Sequence, residues 1–91
     1  MFVQIHIVVS GVVQGVSYRY YTEKKAKKLN LIGSVRNLEN GNVEIYAQGA
    51  DDPLQELIKW CWQGSPMSKV SNIVINEVHN QKEFHSFNTI Y

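Results

Sequence analysis

The sequence predicts an α+β sandwich in which two helices cover one face of an antiparallel sheet. Three observations predict it. The chain opens on an alternating apolar run, two later stretches carry helical spacing, and an Asn-Gly pair sits between two strand-like runs. With 91 residues the chain is expected to form a single domain, residues 1–91, around one core.

Met1 to Ser10 places Val3, Ile5, Ile7 and Val9 on one side and Gln4 and His6 on the other, a half-buried strand. From Tyr18 to Asn30 the period becomes helical. Tyr18, Thr22, Ala26 and Leu29 form one stripe, and the four lysines Lys24, Lys25, Lys27 and Lys28 lie mostly off it. Gly33 is expected to precede a strand from Ser34 to Glu39, with Val35 and Asn37 on its covered face. Asn40-Gly41 then predicts a type I′ hairpin turn, which needs positive φ at both central residues. The next strand, Asn42 to Gln48, points Val43, Ile45 and Ala47 inward. A second helix is expected with Asp52 as N-cap, Pro53 at its first position and Gln55 closing a capping box. Leu54, Leu57, Ile58 and Cys61 make its apolar face, and Gly64 and Pro66 stop it. Val70 to Val78 reads as a fourth strand with two possible inward sets: Val70, Val74 and Val78, or Ile73 and Ile75. Phe84 to Tyr91 is expected to add a short edge strand. The order β-α-β-β-α-β with right-handed crossovers is the ferredoxin-like sandwich.

Composition excludes several classes. The formal net charge of +1 does not by itself imply a nucleic-acid partner. Cys61 is the sole cysteine, which rules out an internal disulfide and argues against a cysteine-based zinc site. His6, His79 and His85 have no metal-like spacing. No apolar run is long enough for a membrane span. The opening MFVQIHIVVSG lacks a basic n-region and a small-residue cleavage site, so a cytoplasmic location is expected.

The stretch SGVVQGVSYR, residues 10–19, joins the first strand to the first helix. Gly11 and Gly15 permit a bend that converges backbone N–H groups, and the helix adds its own free N–H groups and positive dipole end. Arg19 stands where that dipole repels a cation. Its only i+4 acid is Glu23, and such a surface pair contributes a few tenths of a kcal/mol. Two readings are therefore open: an ordinary turn with an Arg19–Glu23 pair, or an anion cradle. The loop lacks the GK[ST] ending of a P-loop and the third glycine of a dinucleotide fingerprint.

GVVQGVSYR, then Leu31-Ile32-Gly33-Ser34-Val35-Arg36-Asn37, then Asn40-Gly41-Asn42-Val43-Glu44 and Gln48-Gly49, resembles the acylphosphatase family. The family pattern is G-x-V-Q-G-V-x-F-R, G-x-V-x-N and G-x-V-E. The likeness runs in register from about Val8 to Gly49 and more loosely to the Phe87–Tyr91 tail. Tyr18 replaces the usual Phe, and Ser34 stands where an aromatic is common. Tyr18 brings a hydroxyl that needs a partner, and Ser34 is expected to alter only an exposed contact. The resemblance implies hydrolysis of acyl phosphates by a monomer without metal or other cofactor. It implies a phosphate-binding loop of Gln14, Gly15, Val16, Ser17, Tyr18 and Arg19, with Arg19 gripping the phosphoryl group and Asn37 positioning the attacking water.

A second class competes. The lysine-rich helix on a ferredoxin-like sandwich would suit RNA, but such modules need stacking aromatics on the open sheet face. That face is expected to carry Gln4, His6, Glu44, Tyr46 and Gln48, with one aromatic among them. A non-catalytic ligand-binding module would keep the loop without pairing Arg19 and Asn37. Neither nucleic acid nor membrane is therefore expected as a partner.

Overall fold

The computed structural model describes residues 2–91. The elements run β1 (Val3–Val12), α1 (Tyr18–Lys28), β2 (Ile32–Asn37), β3 (Val43–Gly49), α2 (Asp51–Gln63), β4 (Lys69–Glu77) and β5 (Phe87–Ile90). The expected first strand included Met1, which lies outside the described residues. The sheet order is β4-β1-β3-β2-β5. The β1–β3, β1–β4 and β2–β3 pairs are antiparallel, whereas the short edge strand β5 runs parallel to β2 and makes the sheet mixed.

The predicted stripe of α1 is the one buried: Tyr18, Thr22 and Ala26 pack inward. The helix ends through Asn30 at φ 58°, with Leu31 N–H donating to Ala26 O and Asn30 N–H to Lys27 O, both at 3.0 Å. That pattern is a Schellman cap with Asn in the left-handed position. Leu54, Leu57 and Cys61 of α2 meet Ile5, Ile7, Val9, Val35, Val43, Ile45 and Ala47 from the sheet in one core. Each fully buried Ile or Leu there contributes about 1.5–3 kcal/mol.

Four local expectations change. Gly33 lies inside β2 at φ 151°, because a Cβ there would meet Tyr46 O at 1.9 Å. The β2–β3 turn is not type I′, since Gly41 has φ 93° but Asn40 is not among the positive-φ residues. Leu38 N–H donates to Asn42 O (2.9 Å) and Gly41 N–H to Leu38 O (3.2 Å), a type I turn closed by a glycine bulge. The α2 helix starts two residues early with Ala50 as N-cap and no side-chain cap bond, so Asp52 is not the cap. Leu54 N–H reaches Ala50 O at 3.2 Å, leaving Pro53 in the first turn where its missing N–H costs nothing, and Asp51 and Asp52 at the positive dipole end. In β4 neither alternating set is buried whole. Val70 and Ile73 pack against the core, because Ser10 pairs with Asn72 but Gly11 with Val70. The extra residue, Ser71, is a β-bulge that reverses the strand's parity.

The sheet face away from the helices is not open. β4 and β5 lie on opposite edges, so the chain between them must cross the sheet, and it crosses on the free face. Gln4 is fully buried there. Its side chain donates to Gln48 Oε1 and Lys82 O, both at 2.9 Å, and accepts from Lys82 N–H at 3.0 Å. Phe84 packs on Tyr46 with ring centroids 6.0 Å apart, and Lys82 Nζ sits 4.4 Å from the same ring. Ser34, between Tyr46 and Asn88 in the sheet, is 7% exposed, so its contact is buried and not exposed as expected.

On this face Glu44 accepts from Arg36 Nε at 2.6 Å and from His6 Nε2 at 2.9 Å. Burial pushes its carboxyl pKa up, but the hydrogen bonds from Arg36 and then His6 outweigh burial and hold it below the ordinary 4.5. A carboxyl that is more acidic folded than unfolded stabilises the fold above its unfolded pKa, and that stability is lost as pH falls through the folded value. Unfolding free energy is thus expected to decline as pH drops below 4.5, and Glu44→Gln to flatten that decline in urea titrations across pH. An unchanged slope in the variant would remove Glu44 as a source of the acid sensitivity.

Candidate functional site

After Val12 the chain leaves the sheet, buries Val13, and curls through Gln14–Ser17 into α1. Gly15 has φ 75° and Ser17, the N-cap of α1, has φ 63°, with Val16 between them outside the left-handed region. That alternation turns successive N–H groups toward one side. Among the described residues, the N–H groups of Gly15, Val16 and Ser17 donate to no protein acceptor. Those of Tyr18 and Arg19 lie in the first helical turn, where no intrahelical acceptor exists. No acid sits in that turn and no side chain caps it.

Two sets of hydrogen bonds hold the curl. Gln14 Nε2 donates to Leu38 O and to Asn42 O, both at 2.8 Å, which fastens the loop to the β2–β3 turn. On the other side Ser65 Oγ donates to Val16 O at 2.7 Å. Beneath it the Tyr18 hydroxyl finds its partner in Cys61 O at 2.8 Å, and the ring packs on Trp60. Burial raises the Tyr18 phenol far above its usual range and raises the Cys61 thiol to about 12, so both stay protonated.

A cleft of about 400 Å³ opens at this end of the sheet. Gly15, Ser17, Tyr18 and Arg19 line it from the loop, and Asn37 lines it from the last position of β2. Asn37 Oδ1 is buried and has no hydrogen-bond partner among the described residues. A buried acceptor left without a partner beside a cleft is one that an ordered water or a ligand can satisfy. Gln14 and Val16, named with the loop from sequence, do not line the cleft: the Gln14 side chain clamps the turn and Val16 packs on the core.

Five further residues line the cleft that sequence reasoning did not bring there: Val13, Tyr20, Glu23, Thr89 and Tyr91. The Arg19 guanidinium lies 4.8 Å from the centre of the Tyr91 ring. Glu23 does not pair with Arg19. Its Oε1 accepts from Thr89 N–H (2.8 Å) and Thr89 Oγ1 (2.7 Å), and its Oε2 from Lys27 (3.0 Å). The Thr89 side-chain bond, then Lys27, holds the Glu23 carboxyl below its ordinary range. Among the described residues, no acid pairs with Arg19. The cleft therefore combines peptide donors without protein acceptors, a guanidinium without an acid partner and the Asn37 side chain, groups whose chemistry suits a small anion.

Fold and cleft together define a ferredoxin-like α+β protein with a cleft at its first strand–helix junction, lined by Arg19 and by a loop whose N–H groups have no protein acceptor among the described residues. The acylphosphatase family model matches residues 5–89. An acylphosphatase of Bacillus licheniformis is 41% identical over 88 residues, covering 97% of this chain and 98% of that one. One from Marinobacter nauticus is 44% identical over 86 residues, covering 94% of each. The crystal structure of the acylphosphatase from Bacillus subtilis superposes with a TM-score of 0.93 at 40% identity over the whole of both chains. The chain belongs to the acylphosphatase family.

The clamp between loop and turn carries its own expectation. Gln14→Ala leaves two carbonyls without their side-chain donor and is expected to lower the unfolding free energy by about 1–2 kcal/mol in urea. A loss under roughly 0.3 kcal/mol would mean that water replaces both bonds.

Proposed function

We propose that this protein hydrolyses the carboxyl–phosphate bond of acyl phosphates, releasing a carboxylate and inorganic phosphate by direct attack of water. The observation that carries the reading is the convergence of the Gly15–Arg19 loop, Arg19 without an acid partner, and Asn37 on one cleft. The amides of Gln14–Arg19 and the Arg19 guanidinium are assigned to the phosphoryl oxygens, where charge-assisted bonds are strongest. Asn37 is assigned to the water. An unprotonated amide oxygen repels phosphoryl oxygens but accepts a hydrogen from water, while its NH₂ remains a donor.

The chemistry needs little more. The departing carboxylate has a conjugate acid with pKa of about 4, so it leaves without a general acid. Phosphoryl transfer then depends on positioning and on charge stabilisation. Asn37 is not a base, so the water's proton goes to a phosphoryl oxygen or to solvent. The proposal includes action without metal or other cofactor, as a monomer, in the cytoplasm. A free, buried Cys61 suits a reducing compartment. No helix is long and apolar enough to cross a membrane among the described residues. RNA binding on the sheet is disfavoured by the segment that covers that face, where Gln4 is bonded to Lys82.

Benzoyl phosphate hydrolysis in the presence of EDTA, with competitive inhibition by inorganic phosphate, is the primary test. Arg19→Ala is expected to lose at least about 10²–10³-fold in kcat/KM, the usual loss for one stabilising donor. Asn37→Ala is expected to reduce kcat far more than it weakens phosphate binding. If kcat survives in Asn37→Ala, the water-positioning role is wrong.

A further inference from the structure

Resting on the reading of Arg19 as the phosphoryl ligand, we infer that Thr89 is a positioning residue that keeps Glu23 from occupying Arg19. Both charged residues stand on α1 four positions apart and both line the cleft. That spacing brings side chains of opposite charge together on a helix. A carboxylate that took the guanidinium would occupy the place of the anionic substrate and compete with it. The structure diverts the carboxylate. Both donors of Thr89, its N–H and its hydroxyl, converge on Glu23 Oε1, and Lys27 takes Oε2.

The diversion has a physical logic. A carboxylate beside an anion site lowers the local potential for a dianion. Two hydrogen bonds and an ammonium satisfy Glu23 where it stands and remove its reason to reach for Arg19. The same bonds dock β5 on α1, in the strand that leads to Tyr91, whose ring lies against the guanidinium. Thr89 thus serves Arg19 without touching it.

The test compares KM for benzoyl phosphate, and the Kd of inorganic phosphate by calorimetry, in wild type, Thr89→Val, Glu23→Gln and the double variant. Thr89→Val keeps the branched shape and the backbone bond but removes the hydroxyl. It is expected to raise KM and the phosphate Kd about three- to fivefold, the reach of an exposed ion pair, with kcat within about twofold. The double variant is expected to return both to near wild type, because a neutral amide no longer competes for Arg19. KM does not depend on the fraction of enzyme folded, so lost stability does not imitate the effect.

A purely structural role for Thr89 predicts the reverse. The double variant restores no hydroxyl, so it would remain as impaired as Thr89→Val, and that result overturns the inference. Unchanged KM and Kd in Thr89→Val, with wild type active and Arg19→Ala inactive, overturn it while leaving the proposed activity intact. An active Arg19→Ala overturns the assignment of Arg19, and the inference falls with it.

Discussion

Arg19 stands at the positive end of α1, where the helix dipole disfavours a cation, and the fold leaves that charge uncompensated. The first turn has no acid, the N-cap makes no side-chain bond, and the nearest acid on the same helix is bonded elsewhere. Several positive groups therefore face one cleft without an anion of their own. Holding them there opposes local electrostatics, so the surroundings must supply the restraint. The clamp from Gln14, the bond from Ser65 and the buried Tyr18 hydroxyl each tie the loop to a different element. Remove the core beneath, and nothing in residues 13–19 would keep these charges together.

Asn37 shows how the sheet supports the same end. It is the last residue of β2 and pairs with Val43, so strand parity sets its side chain on the helix-covered face. The glycine-bulge turn that follows returns the chain at once to β3, and its carbonyls receive the two bonds from Gln14. The loop and the amide are thus connected through the backbone that positions both. A buried oxygen left unpaired at that place is costly in a resting protein and useful in one that takes up water.

The crossing from β4 to β5 closes off the other half of the molecule. Once the helices occupy one face, the connection between opposite edges has only the second face to use. Gln4, Tyr46 and Glu44, polar enough in sequence to look solvent-facing, instead meet Lys82, Phe84, Arg36 and His6. The cleft lined by Arg19 and Asn37 opens at the end of the sheet where β1 turns into α1 and where β5 arrives.

Much was legible locally. Alternation in β1 and β3, the Tyr18–Thr22–Ala26 stripe, the Leu54–Leu57–Cys61 face and the glycine loop each depend on neighbours within one helical turn or one strand pair, and each appears as read. Arg19 and Asn37, singled out from motif spacing and strand parity, which are local properties too, line one cleft. The errors were where distant parts intervene: the bulge at Ser71 comes from the approach of Gly11 to β4, and the burial of Gln4 and Ser34 from strand order. Glu23 and Thr89 are 66 residues apart, and no periodicity joins them. The sequence by itself determined the elements and the curl of the loop, because backbone sterics and side-chain period act over a few residues. Only the tertiary structure decided which acid is kept from Arg19, which face is covered and what closes the cleft, because those depend on the path of the chain in space.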